Sequence, residues 1–202
     1  MAALTFAIVV AQSACTDNNH SIKHLHSSEH KHSSEHNEEN VMKISKPNRV
    51  THTYEQTING TIDEIFSLYC PVREVEWCDG WNPKVVYSTS GVVEPDCIFI
   101  TEHGGHETAW FVTVYDIEQG RVEMIHHTPG VIFTKLEISV AAISDSKSKA
   151  VITYSKTSLS EHGDKALAGF TKEYYDIMMD SWEKAMNHFL KTGEMLTGLP
   201  NF

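Results

Sequence analysis

The chain has 202 residues, 41% hydrophobic and 21% charged, enough for one domain with a sizeable core and slightly more polar than the globular average. Acidic residues outnumber basic ones 27 to 16, for a net charge of -11, and such a surface repels phosphate backbones, which argues against a nucleic-acid partner. No stretch of about 18 apolar residues occurs, which excludes a polytopic helical membrane protein, and Cys15, Cys70, Cys78 and Cys97 form neither a CxxC pair nor a disulfide scaffold.

Residues 1–15, MAALTFAIVVAQSAC, carry an apolar run from Ala2 to Ala11 followed by small and polar residues, the pattern of a secretory signal or of a lipoprotein segment ending at Cys15. The positive charge that opens such signals is missing, since the first basic residue is Lys23, and Gln12 stands where the lipoprotein pattern prefers Leu. Two readings stay open: an exported or lipid-anchored protein with a membrane tether at its N-terminus, and a cytoplasmic one. Residues 16–47 are expected to form a disordered His-rich tether, because hydrophobes are too sparse to offset the entropy of ordering. Its near-repeat HSSEHKHSSEH offers the pairs His24/His26 and His30/His32, suited to weak capture of Zn, Ni or Cu but without a rigid frame.

Period-two alternation begins at Arg49, where Val50, His52, Tyr54, Gln56 and Ile58 share one side of a first strand. Asn59-Gly60 then turns the chain, and Thr61 with Glu64 has capping-box spacing for a short helix through Tyr69. Pro71 suits the first turn of a new helix, so CPVREVEWCDGW predicts a second short helix ended by Gly80. Strands are expected over Lys84 to Ser90, Cys97 to His103, Glu107 to Asp116, Arg121 to Thr128, Val131 to Ile143 and Ala150 to Leu159. Their short links require a mostly antiparallel sheet. Within Val131 to Ile143 the set Ile132, Thr134, Leu136, Ile138 and Val140 is the buried face.

Thr171 to Thr192 predicts a long amphipathic helix whose stripe holds Phe170, Tyr174, Ile177, Met178, Ser181, Trp182, Ala185 and Phe189, ended by Gly193. The fold class is therefore α+β, a seven-stranded antiparallel sheet wrapped around a C-terminal helix. The expected domain spans residues 48–196, leaving 197–202 as a tail.

This order of elements resembles the START-like, or Bet v 1-like, superfamily with its helix-grip fold. The stretches CPVREVEWCDGWNPKVVYSTSGVVEPDCIFIT, TAWFVTVYD and WEKAMNHFLKTGEML look like its polyketide cyclase/dehydrase and lipid transport group. The resemblance covers about Arg49 to Leu196 and implies a cavity between sheet and helix that holds a hydrophobic or amphipathic small molecule.

Candidate ligand-binding residues follow from the positions of aromatic and titratable side chains. Trp77 and Trp81, Trp110 in mid-strand, and Tyr174, Met178 and Trp182 on the long helix are candidates for the cavity wall. Strand alternation groups His126 with Val122 and Met124 and turns His127 outward, while Glu74 rather than Glu76 shares a side with Trp77 and Trp81. The bland alternative is that these are ordinary core or rim residues. Because no convergent catalytic set emerges, the expected role is a carrier or sensor without a cofactor. The alternative is an aromatase or cyclase in which His126 or Glu74 moves protons on a bound poly-carbonyl chain; another is an exported metal-binding lipoprotein using the His-rich tract.

Three local motifs have simpler readings. His103-Gly-Gly-His106 is expected to be a hairpin rather than a metal site. Cys70 and Cys78 would lie ~12 Å apart along a continuous helix, too far to bridge; a bend at Pro71 shortens that distance, so a disulfide stays open for an exported chain and free buried thiols are the default. Asn59-Gly60-Thr61 matches a glycosylation sequon but overlaps a turn.

Overall fold

The computed structural model describes residues 48–103 and 105–200. The expected signal or lipoprotein segment and the His-rich tether, with its metal-binding and membrane-tether readings, lie outside the described residues.

Seven strands form one antiparallel sheet in the order β1-β7-β6-β5-β4-β3-β2. They are β1 Arg49–Ile58, β2 Lys84–Tyr87, β3 Ile98–His103, β4 His106–Asp116, β5 Arg121–Thr128, β6 Ile132–Ser144 and β7 Lys147–Ser158. Among the described strands, β1 pairs with the sequence-distant β7 and every other neighbour is consecutive in sequence, β2 and β3 through the longer link of residues 88–97 and the rest through short reversals. At the β4–β5 reversal Gly120 has φ +61°, its carbonyl accepts from the Val140 amide at 2.7 Å, and a Cβ there would lie 2.2 Å from the Val140 oxygen. Glycine is required by both conformation and space.

The inner face is a set of cross-strand rows. At one end Tyr115, Val122, Ile138, Ile152 and Tyr54 stand side by side, next to Val112, Met124, Leu136, Tyr154 and His52. The row beyond runs Phe99, Trp110, His126, Thr134, Lys156, Val50. Apolar rows thus give way, within one strand repeat, to a row carrying imidazole, hydroxyl and amine.

Helix α1, Ile62–Leu68, starts with the expected capping box: the Glu64 amide donates to Thr61 Oγ1 and the Thr61 amide donates to Glu64 Oε2. It buries Ile65, Phe66 and Leu68. The second insert differs from expectation, holding a single 3-10 turn at Glu74–Glu76 within a series of turns. Tight bonds from the Arg73 and Glu74 amides back to the Cys70 carbonyl wind the segment around Pro71. The Trp77 indole N–H donates to the Leu68 carbonyl at 2.9 Å, and that of Trp81 to the Pro71 carbonyl at 2.8 Å. These bonds fold the insert over the sheet as a compact cap in which a regular second helix has no room.

An unexpected helix, α2, covers Glu161–Gly169 between β7 and the long helix, capped by the Ser160 hydroxyl. The long helix α3, Lys172–Thr192, has Thr171 as its N-cap and Gly193, at φ 73°, closing its C-terminus. Its buried residues are Tyr175, Met178, Met179, Ser181, Ala185 and Met186, so the stripe is rotated from the expected one. Tyr174 and Ile177 are exposed instead. Three bonds hold that rotation: Tyr175 Oη donates to the Ile152 carbonyl, Gln56 Nε2 to the Met179 carbonyl, and Asn187 Nδ2 to the Thr57 carbonyl.

Candidate functional site

Holding the Tyr175, Met179 and Asn187 edge of α3 against β1 and β7 leaves a gap on the helix's other flank, between Met178, Trp182 and Ala185 and the strands β3 to β5. The capping insert roofs this gap with Trp77 and Trp81. The result is two adjoining chambers of ≈ 430 Å³ and ≈ 280 Å³. Trp81, Trp110, His126, Met178 and Trp182 border both.

All four tryptophans of the chain line this space. Trp77 meets Trp182 edge to face at 5.7 Å, Trp81 meets Trp110 edge to face at 6.0 Å, and Trp110 stacks on Phe99 at 5.3 Å with an interplanar angle of 13°. Three of the four indole N–H groups are satisfied locally: Trp110 donates to Thr101 Oγ1, and Trp77 and Trp81 to backbone carbonyls. The rings are therefore fixed and leave apolar faces toward the cavity.

Each candidate from the sequence borders one chamber or both. Trp77 lines the larger, Glu74 and Tyr174 the smaller, and Trp81, Trp110, His126, Met178 and Trp182 both. Tyr174 reaches it from the exposed edge of α3, forming rim rather than core. Glu74 is 6% exposed, whereas Glu76 turns out to pair with Arg73 at 2.8 Å. His127 packs outward against Phe133. The inward imidazole of His52 is a satisfied core residue, bonded to the Phe170 carbonyl at 2.9 Å and stacked on Tyr175.

Of the lining residues of the smaller chamber that were not sequence candidates, Lys156 and Tyr154 carry polar groups. The signal was present: Ala150, Ile152, Tyr154 and Lys156 alternate along β7, so a lysine following three inward residues must also face in. The Lys156 Nζ sits 3.9 Å from the Phe170 ring centroid and 5.6 Å from that of Tyr154.

Burial governs the site's protonation. It pushes the Glu74 carboxyl up to about 8 and draws the Lys156 amine down to about 8. Burial, assisted by the Lys156 charge, lowers His126 to about 3, so its imidazole is neutral near pH 7. The His126 Nδ1 and the Oγ1 of its cross-strand neighbour Thr134 have no hydrogen-bond partner among the described residues.

The remaining motifs carry no site. His103 pairs with His106 across a hairpin, and among the described residues no group of three or more His, Cys, Asp or Glu gathers as metal ligands. Cys70, Cys78 and Cys97 are free thiols. Burial, with help from the Glu74 charge, pushes Cys78 up to about 12, leaving it unreactive as a nucleophile.

The sheet, the capping insert and the gripping helix define an α+β helix-grip fold. Solved structures agree: norcoclaurine synthase from Thalictrum flavum superposes with a TM-score of 0.57 at 12% identity, over 75% of this chain and 99% of that one. The ZhuI aromatase/cyclase from a Streptomyces species matches with a TM-score of 0.53 at 8% identity, over 74% and 100%. A Rhizobium leguminosarum protein matches with 0.51 at 14% identity, over 74% and 99%. At such identities the likeness concerns the fold. No family model and no curated protein matches the sequence.

Proposed function

We propose that the domain binds a hydrophobic or amphipathic small molecule, lipid-like or polyketide-like, in the two chambers between α3 and the sheet. The observation that carries this reading is the gathering of all four tryptophans around the two adjoining chambers. Rigid indoles offer large apolar area at little entropic cost to ordering. Similar folds with small aromatic chemistry support it: the Thalictrum synthase has been solved with dopamine and hydroxybenzaldehyde bound. Native mass spectrometry of the purified protein, followed by a thermal-shift screen of fatty acids, sterols and polyketide aromatics, tests the proposal. A true ligand at a hundred times its Kd stabilises by about 2.7 kcal/mol, a shift of several degrees; no apolar compound binding would overturn the reading.

A second reading, an aromatase or cyclase, is favoured by one observation: a carboxylic acid and an amine both titrating at about 8 on the walls of one chamber. Glu74 can deliver a proton and Lys156 take one near neutral pH. His126, at about 3, is too weak a base for the role expected of it and serves better as a hydrogen-bond acceptor. Incubation with a poly-carbonyl chain should give cyclised product that Glu74→Gln abolishes while still binding; equal product from the variant would exclude Glu74 as the acid.

A further inference from the structure

The smaller chamber holds charge in an unusual arrangement. Among the described residues, Lys156 is the one lysine or arginine lining either chamber. The ion pairs among the described residues all lie elsewhere, on Arg73, Arg121, Lys135, Lys149, Lys172 and Lys184. The Lys156 ammonium lies over the rings of Phe170 and Tyr154, which hold a cation in place but do not neutralise it. A largely buried ammonium without a counterion is costly.

Glu74 lines the same chamber yet does not pair with Lys156, and among the described residues its carboxyl has no hydrogen-bond partner. Burial keeps it protonated near neutral pH, so it offers an O–H donor and no negative charge. Along the sheet row the polar sequence His126, Thr134, Lys156 continues, with His126 Nδ1 and Thr134 Oγ1 also unpartnered. Buried polar groups are normally satisfied; here His126, Thr134 and Lys156 share one row, and His126 and Lys156 line the chamber that Glu74 borders from the insert.

We propose that the occupant of this cavity is a hydrophobic molecule bearing one carboxylate, which pairs with Lys156 and accepts from Glu74 while its apolar body lies among the tryptophans. This rests on the small-molecule reading above and narrows it to a ligand class. A phosphate ester is a poorer fit, because its second charge calls for a cluster of cationic or backbone donors and the chamber supplies a single amine.

Isothermal titration at pH 7 with 2-naphthoate and with its methyl ester tests the pairing, because the two differ in charge at nearly constant apolar surface. The full chain should bind the acid at least about tenfold more tightly than the ester, as charge-assisted bonds outweigh neutral ones. Lys156→Met should erase that preference while binding the ester as before, and Lys156→Arg should keep part of it. Equal affinity for acid and ester in the unmodified protein overturns the proposal and leaves the apolar cavity standing, as does a preference that survives Lys156→Met. If neither compound binds, the cavity reading falls with it. Should Lys156→Met fail to fold, the acid-to-ester ratio of the unmodified protein and of Lys156→Arg decides alone.

Discussion

The two ends of the inner sheet face are built from the same seven strands and the same long helix, yet one is solid and the other hollow. At the solid end Val122, Ile138 and Ile152 meet Ile65, Phe66 and Met179, each of them 2% exposed or less. Its polar groups are fully spoken for: Tyr69 Oη donates to Gln56 Oε1, and Gln56 Nε2 donates to the Met179 carbonyl. At the hollow end the same alternation brings Trp110, His126, Thr134 and Lys156 inward, where bulky rings brace one another across a gap and polar atoms go unpartnered. On the function proposed above, the difference assigns stability to one end of the strands and recognition to the other.

That contrast can be broken by substitution. Phe66→Ala, at a fully buried ring packed 4.7 Å from Tyr115, should cost about 3–5 kcal/mol in chemical denaturation and leave probe affinity unchanged in molecules that still fold. A loss under about 1 kcal/mol would mean that the solid end is not the stabilising one.

The next largest effect is on pH dependence. Burial pushes Glu74 up to about 8 in the fold from an ordinary value of 4.5, so the folded state holds a proton that the unfolded chain has lost. Its contribution is intact below about 4.5 and is lost as pH rises through about 8, with a slope on the order of 1.4 kcal/mol per pH unit at most. Lys156 acts in the opposite sense: at about 8 in the fold against 10.5, its burial penalty is full below 8 and is relieved as pH rises toward 10.5. The two together place a local stability minimum near pH 8. In denaturation series, Glu74→Gln should flatten the acid limb and Lys156→Met the alkaline limb; a variant whose profile parallels the parent would show its group to be solvated.

Smaller in energy but larger in meaning is Trp182→Ala, which removes a wall of both chambers. It should weaken 2-naphthoate by about tenfold, some 1.4 kcal/mol, with less loss of stability than Phe66→Ala. The smallest effect belongs to Ile177→Ala, at a side chain 48% exposed, which should stay within about 0.5 kcal/mol, whereas Met179→Ala should cost about 2–5 kcal/mol.

That last pair also marks where the sequence was readable. Strand alternation located β1 and β5 residue for residue, and the Thr61/Glu64 box that opens α1 and the Gly193 that closes α3 were legible because each satisfies backbone groups locally. The rotation of α3 was not legible, since Tyr174 and Tyr175, like Ile177, Met178 and Met179, are equally apolar and only long-range bonds to Ile152, Thr57 and Gln56 choose between faces. Helix α2 was hidden by Gly163 and Gly169, although Ser160 with Glu161 and Asp164 signalled its start. Gly163 is there because a Cβ would lie 2.0 Å from the Val131 carbonyl oxygen, a contact no local pattern reveals. For the cavity, the wall candidates came from aromatic spacing, but Lys156 was passed over because a lysine on a strand is ordinarily read as solvent-facing.

Methyl NMR of the methionines offers the most direct test of a hollow end beside a solid one. Met124 and Met178 border the chambers, while Met179 and Met186 are fully buried away from them. Titration with 2-naphthoate, whose ring current shifts nearby protons, should move the Met124 and Met178 methyl resonances saturably and leave those of Met179 and Met186 in place. Shifts of equal size at all four, or shifts confined to Met179 and Met186, would contradict the placement of the binding site.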